Sequence, residues 1–306
     1  MKKLIINILL VLTFILPVKI NALSTADAKE VIVNKNGSLN LEYKYDDYII
    51  NSGNVKLYYI ASVSKDYQYS LVGDFQELPI EINGIKGIDE WNILEDTITS
   101  YVIADGISET SSAVINNNKV YFEDLKTGLY LVITDTIETE TYSLSFEPFI
   151  ISIPNLMEDG TWNYDVYSCP KPYLYTPKYD DVTYTIIKEW RDYKQNRPDA
   201  IEVDIYKDSE LYESISLNSD NNWTYSFIAK DDGSIFTAVE RNVPDGYTVS
   251  IDKDDTRIVI INTHDEEPPK TVDNIYLYFI ILLGSILGLI STLLVIHKTV
   301  GNDEKV

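Results

Sequence analysis

From residue 181 to 264 the chain is a succession of short stretches in which apolar and polar side chains alternate. In IEVDI (201–205) the apolar residues share one face and the acids the other, and WTYSF (223–227) sets aromatic rings against hydroxyls. A period of two marks a strand with one buried face. Such stretches recur at 183–190, 201–206, 223–228, 235–240, 247–251 and 257–263, each bounded by turn residues. Short, closely spaced strands of this kind specify a β-sandwich.

Three polar residues interrupt the apolar faces. In YTIIKEW (184–190), Tyr184, Ile186, Lys188 and Trp190 share a face, which places a lysine among apolar residues. In IFTAVER the face of Phe236 and Ala238 continues to Glu240, and in TRIVIINTH that of Ile258 and Ile260 continues to Asn262. Each group alone would be a costly buried orphan. Together they can satisfy one another, and they can also react. Desolvation favours the neutral amine and the neutral acid. The amine is then a nucleophile, and the protonated carboxyl of Glu240 can hydrogen-bond the Asn262 carbonyl oxygen and relay protons. Attack of Lys188 on Asn262 would expel ammonia and leave an isopeptide bond, with proximity supplied by packing and no cofactor needed. On parity alone, a buried Lys188–Glu240 ion pair with Asn262 as hydrogen-bond partner explains the pattern equally well.

The flanks describe an exported chain. Residues 1–22, MKKLIINILLVLTFILPVKINA, combine a basic start, an apolar run and a small-residue cleavage site, the pattern of a secretory signal peptide. Residues 275–296 carry no charge over a length that spans a bilayer as a transmembrane helix, and residues 297–306 form a short tail expected inside the cell. Residues 172–180, PYLYTPKYD, have no clear period and read as a linker. Before them, residues 24–171 offer strands at 39–45, 55–63, 119–124, 128–134 and 149–153, and one amphipathic helix at 88–104. The expected fold class is all-β, with two β-sandwich domains in tandem at 24–171 and 181–264.

Composition narrows the function. A net charge of −23 excludes nucleic acid as a partner. The single cysteine, Cys169, cannot close an internal disulfide, so an exported chain either does without staples or uses another crosslink. No nucleophile–base set marks an enzyme acting on external substrates. Asp252-Lys253-Asp254-Asp255 reads as a turn and not as a calcium loop. No metal or cofactor is expected.

The stretches IIKEWRDYKQNRPDAIEVDIYKD, NNWTYSF, FTAVERNVPDGYTV and IVIINTH, in that order over about residues 182–264, resemble the Cna protein B-type domain. The resemblance implies an immunoglobulin-like sandwich in which Lys188 and Asn262 are joined by an isopeptide bond promoted by Glu240. Such a bond would tie the first strand to the last against pulling. GTWNYDVYSCPKP resembles the pilin motif of Gram-positive sortase-assembled pili. Trp162, Val166, Pro170 and Lys171 match its spacing, while Ser168 and Cys169 depart from the usual Val-Tyr. Alternation puts Lys171 on the polar face, and the resemblance makes it the amine that accepts the next subunit.

Within the spacer 265–274, EPPKTVD is similar to an LPxTG-class sorting signal over Pro268, Pro269, Lys270, Thr271 and Val272. Pro268 stands where leucine is usual and Val272 where glycine is usual. Sortase would cleave after Thr271, next to a β-branched residue that restricts the backbone. GSLNLEYK, VKLYYIASV, FQELPIEING, LKTGLYLV and EPFIISIPN resemble pilin N-terminal regions. There Lys44 and Lys56 fall opposite the apolar faces, so no isopeptide is expected in the first domain.

Two readings follow. The first is a structural cell-surface protein, a pilus shaft subunit polymerised through Lys171 and Thr271. Its partners would be a sortase, other pilin subunits and the membrane. The second is a membrane- or wall-anchored adhesin stalk that does not polymerise and meets a host surface ligand.

Overall fold

The computed structural model describes residues 30–46, 48–138, 143–192 and 197–264. The signal-peptide stretch, the sorting-motif residues Pro268 to Val272 and the apolar run 275–296 lie outside the described residues. Among those described, no helix is long and apolar enough to cross a membrane.

The chain is mostly β. Strands β1 (Gly37–Glu42), β2 (Asn54–Val63) and β3 (Tyr69–Leu71) precede the helix α1 (Ile88–Asp105). After it come β4 (Ser111–Val114), β5 (Lys119–Leu125), β6 (Gly128–Thr134), β7 (Ile137–Glu138), β8 (Ser143–Phe146), β9 (Phe149–Ile153), β10 (Asn155–Leu156), β11 (Trp162–Asn163), β12 (Asp165–Ser168) and β13 (Pro172–Tyr175). The C-terminal region holds β14 (Asp181–Arg191), β15 (Ala200–Lys207), β16 (Glu210–Asn218), β17 (Thr224–Lys230), β18 (Phe236–Glu240), β19 (Thr248–Asp254) and β20 (Arg257–Thr263).

In the N-terminal region the sheet β12-β1-β5 stacks on the sheet β3-β2-β6-β9, to which β4 adds by pairing with β2. Leu39, Leu41 and Tyr43 meet Leu57, Tyr130 and Val132 between them. Strand β2 departs from simple alternation. Its pairing with β6 shifts register between Tyr59 and Ala61, and its second face, with Tyr58 and Ile60, is buried too. Gly128 permits the close approach at this bulge, since a Cβ there would lie 2.0 Å from the Ala61 carbonyl oxygen.

The second face of β2 and β6 is covered by α1, which begins where the sequence places it. Glu90 accepts a hydrogen bond from the Lys86 backbone N–H at 2.6 Å. Gly106, left-handed at φ 60°, closes the C-terminus by donating to the Val102 carbonyl. Ile93 to Ala104 are all at least partly buried. A helix with one solvated side would not show this, and α1 has none over most of its length. It lies between the N-terminal sheet and the C-terminal region.

The C-terminal region is a seven-stranded sandwich of two sheets, β17-β14-β20-β19 and β16-β15-β18. All six expected stretches form strands there. The seventh, β16, escapes the sequence reading because Glu210 to Ser214 are exposed on both faces. Its turn, Asp208-Ser209, takes positive φ at both positions (49° and 72°) without the usual Asn-Gly signal. Of the aspartate cluster only Asp255 lies in the turn between β19 and β20; Asp252, Lys253 and Asp254, expected as a turn, end β19 and pair with Val259, Ile258 and Arg257. Pro172–Tyr175, read as the start of a linker, pairs with β8 as β13. That pairing is made by the backbone; Tyr173 and Leu174 are exposed, so no apolar period marks it.

The expectation of two sandwiches in tandem is corrected in one respect: their cores are not separate. One continuous buried cluster contains Ile60 and Leu131 of the N-terminal sheet, Leu94 and Ile98 of α1, and Val203 and Ile260 of the C-terminal sandwich. The helix is the shared layer. Ile98→Ala, at a fully buried position, is expected to cost about 2–5 kcal/mol. Native-state hydrogen exchange should lose protection in β2 and in β19 together.

Candidate functional site

The site forms where β14, β18 and β20 face one another inside the C-terminal sandwich. β14 and β20 are neighbours and run parallel, with Lys188 opposite Ile260 and Trp190 opposite Asn262. The first and last strands of the sandwich therefore lie side by side. Glu240 closes β18 on the opposite sheet, with its side chain turned inward. The side chains of Lys188 and Glu240 have no solvent exposure, and Asn262 has none either. Parity in three separate strands thus does bring an amine, an acid and an amide into one dry pocket.

The contacts divide the carboxyl between two nitrogens. Lys188 Nζ lies 3.3 Å from Glu240 Oε2. Asn262 Nδ2 donates to Glu240 Oε1 at 3.0 Å. Lys188 Nζ also donates to the Ile260 carbonyl at 3.3 Å and sits 4.5 Å above the Trp190 ring. The sequence reading has the Glu240 carboxyl bonding the Asn262 carbonyl oxygen. The structure turns the amide the other way, because a carboxylate oxygen only accepts and Nδ2 is the donating end. Asn262 Oδ1 and Trp190 Nε1 are buried without a hydrogen-bond partner among the described residues.

Burial sets the electrostatics. Desolvation lowers the Lys188 pKa to about 8 against the opposing pull of Glu240. The same desolvation raises Glu240, against Lys188 and the hydrogen bond from Asn262. Both groups are pushed toward their neutral forms, the forms in which an amine attacks and an acid donates. The ion pair and the neutral pair hold the same number of protons, so one converts to the other by a single internal transfer.

The other residues singled out in the sequence stand apart from this pocket. Lys171 is exposed, between the buried Pro170 and β13. With Tyr173, Lys178 and Asp231 it borders an open cleft of about 2000 Å³ between the N-terminal region and the sandwich. The alternation before it holds, with Tyr164 and Val166 buried and Asp165 and Tyr167 exposed. Lys44 pairs with Glu42 at 3.0 Å and Lys56 with Asp135 at 2.8 Å, both on outward faces. Thr271 and its neighbours lie outside the described residues. Two residues of the pocket were not assigned a role from sequence. Trp190 shares the parity of Lys188, which is a visible signal. Tyr101, whose hydroxyl donates to the Glu240 carbonyl at 3.4 Å, comes from α1 and left none.

A seven-stranded sandwich with parallel first and last strands and a buried amine–acid–amide trio defines the class of domain. Residues 184–263 match the family model of the Cna protein B-type domain. Among solved structures, a single B repeat unit of the collagen binding surface protein of Staphylococcus aureus matches at 17% identity, covering 76% of this chain and 100% of its own, with a TM-score of 0.26. The major pilin SpaD of Corynebacterium diphtheriae matches at 11% identity over 78% of this chain and 99% of its own, with a TM-score of 0.28. The shaft pilin SpaA of Lactobacillus rhamnosus GG matches at 13% over 77% and 100%, with a TM-score of 0.26. No curated protein gives a significant sequence match.

The trio's energetics can be tested without assuming any reaction. Glu240→Ala leaves the Lys188 ammonium buried and unanswered, at an expected cost of about 3–5 kcal/mol. Adding Lys188→Met should recover most of it. In the single variant the folded-state pKa of Lys188 lies below its unfolded value, so the penalty is full below the folded value. Without Glu240 the folded value falls below the about 8 it has in its presence, so the penalty should fade as pH rises through that region toward about 10, and urea unfolding across that range would measure it.

Proposed function

We propose that the chain is a structural cell-surface protein, a pilus shaft subunit whose C-terminal sandwich is locked by a Lys188–Asn262 isopeptide bond. The observation that carries this reading is the placement of Glu240 between the two nitrogens that must exchange partners. In the neutral pair, Lys188 Nζ attacks the Asn262 side-chain carbonyl carbon. Glu240 Oε2 takes a proton from Nζ, and Oε1 delivers one to Nδ2. The carbon–Nδ2 bond breaks, ammonia leaves, and an amide joins the two side chains. Protons balance through one carboxyl, and Glu240 is regenerated. No cofactor enters, and the chain acts on no other substrate.

The position of the bond suits a load-bearing role. Force entering at the start of β14 and leaving after β20 would shear two parallel neighbours past each other. A bond between Lys188 and Asn262, near the C-terminal ends of both strands, carries that force directly from one to the other. The strands between them stay off the load path. Lys171, exposed just upstream of β14, is the amine proposed to accept the next subunit's Thr271 through a sortase. Retention at the cell surface would use the membrane run and the sorting motif. The Cna B-type match supports a surface role, as the relatives' names describe surface and pilus proteins.

Two measurements test this. The intact mass of the secreted body should be short by one ammonia, with peptide mapping joining Lys188 to Asn262, and Glu240→Ala should restore the full mass. A mass with no ammonia lost would end the crosslink reading. Denaturing gels of wall extracts should show a ladder that Lys171→Ala abolishes. An internal bond without any ladder would favour the non-polymerising stalk.

A further inference from the structure

The two outer strands β18 and β19 belong to different sheets, and their free edges lie on the same side of the sandwich. Left open, that side would expose the edge nearest Glu240, the last residue of β18. α1 occupies it. Thr97 Oγ1 accepts from the Ile251 backbone N–H at 2.7 Å, and Asp96 Oδ2 from that of Lys253 at 3.0 Å. The Pro79 carbonyl, just before the helix, accepts from the Val249 N–H at 2.7 Å. On the β18 side, Thr237 Oγ1 donates to Ser100 Oγ at 2.6 Å, and Arg241 pairs with Asp105. Tyr101, 4% exposed, lies between these two anchor lines, with its hydroxyl on the Glu240 carbonyl.

Resting on the crosslink proposed above, we infer that α1 is the closing wall of the reaction pocket and that Tyr101 is a positioning residue for bond formation. The bond would then close only after the N-terminal region has folded and docked. The pocket needs dryness before it needs anything else, since burial is the leading cause of both the Lys188 and the Glu240 shifts. The wall on the Glu240 side is supplied by a segment far away in sequence. Other charges bear on the pocket less directly: Arg197 and Glu189 act on Lys188, and Asp105 and Arg241 act on Tyr101. Docking therefore couples the covalent lock to correct assembly, and an undocked chain stays extensible and unlocked.

The test uses the full chain made by cell-free synthesis, with ammonia loss followed by intact mass over time and over pH. Tyr101→Phe keeps the ring and should close at the wild-type rate. Tyr101→Ala admits water and should slow closure about tenfold or more. Its alkaline limb should also move up by about one pH unit, as the Lys188 amine returns toward its ordinary value. A folding defect alone would lower the yield of closed chain without moving that limb. Should Tyr101→Ala fail to fold, Thr97→Val keeps the helix shape while deleting the Ile251 hydrogen bond, and several-fold slower closure is expected. Wild-type chain that never loses ammonia would sink the crosslink itself. Wild-type closure matched in rate and pH profile by a folded Tyr101→Ala or Thr97→Val chain would overturn the role of α1 and leave the crosslink standing.

Discussion

A lysine amine inside a β-sandwich has to be answered there, because water cannot reach it. The energetic demand made by Lys188 organises the pocket around it. Its nearest acid, Glu240, stands on the facing sheet, and its nearest amide, Asn262, on the neighbouring parallel strand. The aromatic ring of Trp190 lies beneath the ammonium, and the Ile260 carbonyl accepts a hydrogen bond from it. An arrangement of this kind is an inefficient way to stabilise a fold, since replacing a buried ion pair with apolar side chains is often neutral or favourable. In the proposed crosslink this charge state would be used, with the carboxyl shared by two nitrogens serving as a proton relay between an attacking and a leaving group.

The same pocket depends on a helix that belongs to the other half of the molecule. Sheet edges carry unpaired backbone groups, and natural sandwiches cover or disrupt them. Here the cover is α1, whose threonine and aspartate side chains take the free N–H groups of β19. Its opposite side fills the second face of β2 and β6. One element thus closes two cores at once. That explains why β2 is buried on both faces and why the helix has so little solvated surface along its middle.

Much of this was legible from residue order. Strand positions in the sandwich, the inward parity of Lys188, Glu240 and Asn262, the outward parity of Lys171, and the span of α1 all follow from short-range periodicity. Periodicity reports whether a side chain faces a core, and the strand residues sit in strongly contrasting faces, whereas α1, at least partly buried all round from Ile93 to Ala104, shows only its apolar spacing. It failed where contrast was absent. Backbone-driven β13 has no apolar face to read, and β16 buries only Ile215 and Leu217, near its end, after a fully exposed start. It also gave the Asn262 amide the wrong orientation, because the choice between its two ends is made by a partner on another sheet.

Local order along the chain determined which groups would be buried and that an amine, an acid and an amide would be among them, since alternation depends on immediate neighbours alone. Only the tertiary structure decided that β14 and β20 would lie adjacent and parallel, that Glu240 would bridge the two nitrogens, and that a distant helix would seal the space. Those outcomes depend on strand order and on packing between segments 22 to 154 residues apart, and contacts at such separations leave no periodic trace in the sequence.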